Sequence, residues 1–185
     1  MDEFQPLYTK RLTLRRFREA DAESFLAYRF DPVVARYQTW DTCTLGQALG
    51  FIREQQTVLP GTSGTWFQYA IALKESDALI GDCGLYTHHD DRRQADIGYT
   101  LARDVQGQGY ATEAVTRILD FVFEELEMHR IIAMVDCENS ASVALLERLG
   151  MRREAHFIQN FWFKGRWSDE YWYAILRDEW LARTK

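Results

Sequence analysis

Val105-Gln106-Gly107-Gln108-Gly109-Tyr110-Ala111-Thr112-Glu113-Ala114 joins a stretch that reads as a strand, Ala95-Asp96-Ile97-Gly98-Tyr99-Thr100-Leu101, to one that reads as an amphipathic helix. A strand, a glycine turn and a helix in that order direct several unpaired backbone N–H groups at one point, at the positive end of the helix dipole. Such a point binds phosphate. Gly107 and Gly109 suit it because a residue without Cβ lets the backbone approach an anion and adopt positive φ. Gly-x-Gly by itself also occurs in ordinary strand-to-helix loops. The wider spacing Gln-x-x-Gly-x-Ala and the rest of the chain narrow the reading.

Outward from this turn, the chain of 185 residues reads as a single domain over residues 1–185, with three prolines and no repeat or low-complexity linker. Its apolar fraction of 46% and charged fraction of 27% are those of a soluble globular protein. The net charge of −6 argues against a nucleic-acid partner and fits a cationic one. Cys43, Cys83 and Cys137 are too widely spaced for a zinc site or a disulfide framework, so reduced thiols and no bound metal are expected. The acidic opening Met1–Gln5 lacks the apolar segment of a signal peptide, and no apolar run reaches membrane-span length. A cytoplasmic protein with no membrane association follows as the expectation.

Arg11–Phe17 alternates polar and apolar residues, as a half-buried strand does. Asp21 reads as the N-cap of a helix ended by Asp31-Pro32, and Leu45–Val58 as a second helical region weakened by Gly46 and Gly50. After the loop Pro60–Gly64 come expected strands Trp66–Leu73, Ala78–Tyr86 and Gln94–Leu101. Gly81 and Gly84 mark a bulge or a close backbone approach in the middle one. Ala111, Ala114, Val115, Ile118 and Val122 form the stripe of the helix behind the glycine turn. Arg130–Val135 reads as a strand, Asn139 or Ser140 as the cap of a helix to Leu149 with Gly150 closing it, and Arg153–Phe163 and Tyr171–Leu176 as the last strands. The expected order is β-α-α-β-β-β-α-β-α-β-β, an α/β mixed sheet of about seven strands with four helices on its faces.

This order, the glycine turn on the fourth expected strand and the phrase Asn139-Ser140-Ala141-Ser142-Val143-Ala144-Leu145-Leu146-Glu147-Arg148-Leu149-Gly150-Met151 together resemble the GNAT superfamily of N-acetyltransferases. The opening Arg11-Leu12-Thr13-Leu14-Arg15, the strand phrase Ile97-Gly98-Tyr99 and the run Gln106–Ala114 resemble its ribosomal-protein-alanine N-acetyltransferase branch. The resemblance covers nearly the whole chain. It implies a sheet splayed at strands 4 and 5, and acetyl-CoA as donor. The pyrophosphate would be held by Gln106, Gly107, Gln108, Gly109, Tyr110, Ala111 and Thr112. The pantetheine arm would lie along Thr100, Leu101 and Arg103, with Asn139 and Ser142 near its thioester end. A plain N-cap for Asn139 and a surface serine for Ser142 are the competing readings. Homodimers are common in the superfamily, so a homodimer is compatible.

Acetyl transfer by direct attack needs a neutral amine, a polarised thioester carbonyl and a proton for the departing thiolate. Asp96 matches the position of the superfamily's frequent strand-four carboxylate and, being shorter than Glu, would work through a water. A structural ion pair with Arg92, Arg93 or Arg117 is the alternative. The tyrosine that many members carry on the helix after the fifth strand falls here on Leu146, which cannot donate a proton. Ser142, Tyr99 or a water would have to serve, and a thiol of pKa about 8.5 is a tolerable leaving group. The loss of this tyrosine also leaves open an inert CoA-binding module. His88 and His89 read as loop residues. Tyr37, Trp40, Phe161 and Trp162 are candidate walls of an acceptor cleft for a peptide N-terminus or a small-molecule amine.

Overall fold

The computed structural model describes residues 4–38 and 43–183. Eight strands form one sheet: β1 (Leu7–Tyr8), β2 (Leu12–Arg15), β3 (Trp66–Leu73), β4 (Leu79–Thr87), β5 (Gln94–Leu101), β6 (Arg130–Asp136), β7 (Arg152–Phe163) and β8 (Arg166–Leu176), in the spatial order β1-β2-β3-β4-β5-β6-β8-β7. All neighbours are antiparallel except β5 and β6, which run parallel. The parallel step is forced by the helix between them, α4 (Tyr110–Asp120), whose crossover returns the chain in the same direction. Other helices are α1 (Ala22–Arg29), α2 (Pro32–Ala35), α3 (Leu45–Glu54), α5 (Ser140–Arg148) and α6 (Arg177–Leu181). The mixed α/β sheet expected above is therefore present, with one more strand and two more short helices than its periodicity revealed. β1, α2 and α6 have two, four and five residues, too few to display a hydrophobic period.

The two sheet faces carry different helices. Ala114, Val115 and Ile118 of α4, and Val122 of the π turn Phe121–Glu125 that continues it, are fully buried in one core with Tyr69, Cys83, Ile97 and Ile131, which places the α4 stripe on the face also covered by α5. Phe17, Phe25, Tyr28, Ala48, Ile52 and Ala70 form a second, smaller core under α1 and α3 on the opposite face. α3 starts despite Gly46 because Thr44 and Gln47 cap it reciprocally: Thr44 Oγ1 accepts from the Gln47 N–H at 3.3 Å, and Gln47 Oε1 from the Thr44 N–H at 2.8 Å. Gly81 is required by packing, since a Cβ there would lie 2.3 Å from the Thr100 carbonyl oxygen on β5. No helix among the described residues is long and apolar enough to cross a membrane.

Two local expectations change. Asp21 does occupy the N-cap position of α1, but its side chain makes no capping bond; it ends a 3-10 turn that runs into the helix, and its carboxylate turns inward to Arg15 at 2.7 and 3.0 Å and to the Arg18 N–H at 2.7 Å. Charge pairing with a buried guanidinium outweighs the capping bond. Asp31-Pro32 does follow the end of α1, but it also opens α2, with Asp31 Oδ1 accepting from the Val33 and Val34 N–H groups and proline at the first position.

Arg15 is buried, with Asp77 as its second carboxylate at 2.9 Å. Truncating one partner of a buried pair leaves the other charge uncompensated. Asp21→Ala should lower unfolding free energy by about 3 kcal/mol, the low end of that range because Asp77 remains. Urea unfolding checks this, and a loss under about 1 kcal/mol would show that the pair is stabilised elsewhere.

Candidate active site

β5 and β6 pair only at Gln94↔Arg130, Ala95↔Ile131 and Asp96↔Ile132. Beyond these, β5 stays with β4 through Leu101 while β6 stays with β8 through Asp136, so the sheet splits. The split matches the splay that the resemblance implied, here between β5 and β6 because β1 adds a strand to the count. Past Asp96, every second backbone N–H and C=O of β5 faces a gap with no strand opposite. A groove of about 930 Å³ lies on the α4–α5 side of the gap and a cavity of about 430 Å³ on the α1–α3 side. Both are bounded by Tyr37, Gln38, Tyr99, Thr100, Asn139 and Ser142, so they meet at the split.

The groove holds the glycine turn. Gly107 and Gly109 have φ of +75° and +82°, a region that disfavours residues with a Cβ. Gly109 is the N-cap of α4 and offers no side chain, so the first-turn N–H groups of Tyr110, Ala111 and Thr112 open onto the groove. Arg11, from the opening motif, braces this turn: Nη1 donates to the Gln108 carbonyl at 3.0 Å, Nε to Glu113 Oε2 at 2.6 Å, and the guanidinium covers the Tyr110 ring at 4.2 Å. Glu113 also accepts from Thr9 Oγ1 at 2.6 Å and the Arg11 N–H at 2.8 Å. Partial burial pushes its carboxyl up, but these donors outweigh that and hold it below the usual carboxylate range. Arg148 on α5 reaches Thr112 Oγ1 at 3.3 Å across the groove and adds a second cation. Uncapped amides, a turn only glycine tolerates and two flanking guanidiniums fit a pyrophosphate.

Of the residues expected at the donor site, Thr100, Leu101, Gln106, Gly107, Gly109, Tyr110, Ala111, Thr112, Asn139 and Ser142 line the groove. Arg103 and Gln108 do not: Arg103 opens an exposed 3-10 turn, and the Gln108 side chain folds back to the Asp104 carbonyl at 3.1 Å. The sequence reading missed Arg148, because 36 residues separate it from Thr112 and only the packing of α5 beside α4 joins them.

At the junction, Asn139 caps α5, its Oδ1 accepting from the Ser142 N–H at 3.2 Å. Tyr99 reaches across the split to Ser142, with 2.7 Å between the hydroxyl oxygens. Burial drives the Tyr99 phenol well above its ordinary range while the Ser142 hydrogen bond works the other way, so the phenol keeps its proton at neutral pH. Leu146, one turn further along α5, is buried in the cavity wall.

The cavity floor holds a feature the sequence did not announce. Asp82 is fully buried and receives Arg29 Nη2 at 2.5 Å, Arg29 Nε at 3.0 Å, Gln68 Nε2 at 2.6 Å and the Tyr28 hydroxyl. Burial first, then the Asp82 charge, raises the Tyr28 phenol far above its usual value. Asp96 shares the sheet face of Asp82 but lies beyond the cavity lining; its Oδ1 is 2.8 Å from His88 Nε2. The expected arginine partners are engaged elsewhere: Arg93 with Asp91, and Arg117 with Glu125. His88 is therefore no idle loop residue; it extends the β4 ladder and meets Asp96 across β5. Tyr37 lines the cavity as expected, Phe161 faces the same side of the sheet, Trp162 packs on Trp167 on the other side, and Trp40 lies outside the described residues.

The chain matches the acetyltransferase (GNAT) domain family over residues 11–152. It is 34% identical over 179 residues to the uncharacterized N-acetyltransferase p20 of Bacillus licheniformis, covering 96% of this chain and 99% of that one. A GNAT-family acetyltransferase structure from Bacillus anthracis superposes with a TM-score of 0.85 at 28% identity, covering 95% and 100% of the two chains. The fold is also that of the Vibrio cholerae spermidine N-acetyltransferase solved with CoA and spermine, with a TM-score of 0.81 at 23% identity and coverage of 94% and 99%. The chain belongs to the GNAT acetyltransferase family, and is an acetyl-CoA-dependent acetyltransferase.

If Arg11 holds the glycine turn in shape, Arg11→Ala should weaken CoA binding about tenfold, or 1.4 kcal/mol. Thermal stability should change little, since the guanidinium is partly exposed. Titration calorimetry against CoA measures this, and an unchanged Kd would remove Arg11 from the binding account.

Proposed function

We propose that the chain acetylates a primary amine by direct attack on the thioester, with the donor in the groove and the acceptor in the cavity. The observation that carries this reading is the meeting of the two spaces at Tyr99, Thr100, Asn139 and Ser142, where β5 leaves β6. Acetyl-CoA supplies the activated acetyl group. The uncapped start of α4, with Arg11 and Arg148, binds its pyrophosphate, and the free edge of β5 pairs with its pantetheine amides. A backbone N–H near Leu101 then polarises the thioester carbonyl.

Two protons must leave the amine, and one must reach the thiolate. Asp96, acting through a water, accepts the proton of the incoming ammonium, and His88 at 2.8 Å carries it to the half-exposed rim. Attack by the neutral amine forms the carbon–nitrogen bond; collapse breaks the carbon–sulfur bond. The second proton leaves the nitrogen as the intermediate collapses: the Tyr99–Ser142 hydroxyl pair takes it up while passing one of its own to sulfur, with the N-terminal dipole of α5 beside it. This pair answers the substitution at Leu146. The side chain lost there was a hydroxyl donor, and two hydroxyls stand one turn away, which favours an active enzyme over an inert CoA-binding module.

Acetyl-CoA incubated with a broad amine and peptide panel, read as thiol release, should give turnover. CoA binding with no acceptor consumed would leave only the inert module. Asp96→Asn should flatten the acidic limb of the pH–rate profile, and an unchanged limb would exclude Asp96 as base. Tyr99→Phe combined with Ser142→Ala should lower kcat about 10²-fold, the lower bound for a lost proton donor, with CoA affinity nearly constant. A kcat within twofold of the parent would assign the proton to water.

A further inference from the structure

We propose that the acceptor is a monoamine carried on an aromatic or extended apolar body, and that the cavity discriminates against polyamines and polypeptide N-termini. This rests on the amine-acetylating reading above.

The cavity-lining carboxylates are already spent. Asp82 is enclosed by Arg29, Gln68 and Tyr28. Asp136 accepts the Glu138 N–H at 2.8 Å on Oδ1 and faces Arg166 Nη2 at 3.8 Å on Oδ2. A polyamine brings a charge at each further nitrogen, and a buried ammonium needs a carboxylate not already neutralised. Here it would meet the Arg29 guanidinium instead.

The remaining lining is neutral, and much of it is apolar. Phe51, Trp66, Ile97, Met134 and Leu146 line it, and Trp66 packs on Tyr86 at 5.4 Å. From Met134 the apolar surface continues outward. Met134 pairs with Trp172 across β6 and β8, and Trp172 contacts the Phe157 ring at 5.2 Å. Phe161 opposes Ser168 and Phe157 opposes Glu170, and the β8 residues Ser168, Glu170 and Trp172 alternate onto one face. Met134 is 46%, Phe157 38% and Phe161 41% exposed, a shelf of side chains left open among the described residues. Glu170, on the same face, lies outside the cavity lining and accepts from the neutral Asn160 amide, Nδ2 at 2.6 Å. A volume of about 430 Å³ suits a small ligand.

A polypeptide would need an open approach, and the segment after α1 closes one side. Arg36 Nη2 binds Glu138 Oε2 at 2.8 Å, the Tyr37 hydroxyl donates to the Glu138 carbonyl at 3.1 Å, and Lys164 Nζ donates to the Ala35 carbonyl at 2.5 Å. Arg166 adds two bonds to Glu138, at 3.0 and 2.8 Å. Hydrogen bonds from Arg166 and then Arg36 hold the Glu138 carboxyl down to about 2, so it stays charged at any working pH.

The test compares kcat/KM, by thiol release, for 2-phenylethylamine, spermidine and an octapeptide with a free alanyl N-terminus. 2-Phenylethylamine should exceed both by at least about tenfold, one 1.4 kcal/mol step in the transition state. Met134→Glu, which places an unneutralised carboxylate on the shelf, should shift the ratio of spermidine to 2-phenylethylamine upward about tenfold. Phe157→Asp, at an exposed position on the edge strand, should shift it the same way and guards against a misfolded first variant. Spermidine or the peptide matching 2-phenylethylamine in the parent would overturn the assignment while leaving the acetyltransferase reading intact. A ratio unmoved in both folded variants would also overturn it. No amine turned over, with CoA still bound by calorimetry, would overturn both.

Discussion

Between Ile97 and Leu101, β5 runs inside the molecule with a strand on one side only, and the rest of the structure is arranged around that vacancy. Unpaired backbone amides in an interior are costly unless something polar meets them. A sheet would ordinarily close over such a gap. Here it does not, because β6 is drawn away by its full-length antiparallel pairing with β8. The edge that results has the length and the hydrogen-bonding groups to receive an extended amide-bearing arm. The two spaces it connects lie on opposite faces of the sheet and meet at the split.

Holding the sheet open places demands on the flanks, and the two arginines of the opening motif answer them differently. Arg15 is buried between Asp21 and Asp77 and ties β2 to the start of α1 and the β3–β4 turn. Arg11, four residues earlier on the chain, points to the other side and fixes the glycine turn through Glu113 and the Gln108 carbonyl. The stretch from Arg11 to Arg15 therefore anchors both α1 and the glycine turn. The Asp82–Arg29 pair repeats the device one layer deeper, joining α1 to β4 beneath the acceptor cavity. Buried pairs of this kind add little net stability, but their directional bonds fix where elements sit. Position is what a two-substrate site needs.

Much of this was legible in the chain. The glycine turn, the α4 stripe, the cap at Asn139 and the closing Gly150 are local signals whose spacing carries its own physics, and each lies where it was expected. The acceptor side was not legible in the same way. Asp82, Gln68 and Arg29 are unremarkable polar residues on three separate elements, and His88 looked like part of a charged loop. Nothing in their spacing brings them together. The alternation of Phe157, Phe161 and Trp172 showed strands, but a bulge in which Ile158, Gln159 and Asn160 oppose Asp169 alone decides which of these rings share a face.

The sequence by itself determined the phosphate-binding turn, because a site made of backbone amides needs only a short continuous run with glycine where φ turns positive, and its resemblance to the GNAT superfamily named the donor. It also determined that the superfamily's usual tyrosine is absent, since Leu146 is a matter of identity and not of geometry. Only the tertiary structure set Tyr99 of β5 against Ser142 of α5, the hydroxyl pair we propose in place of that tyrosine. It alone decided that the cavity carboxylates are taken up by guanidiniums. Such pairings join residues tens of positions apart, and chain separation that long is closed by packing, which no local pattern records.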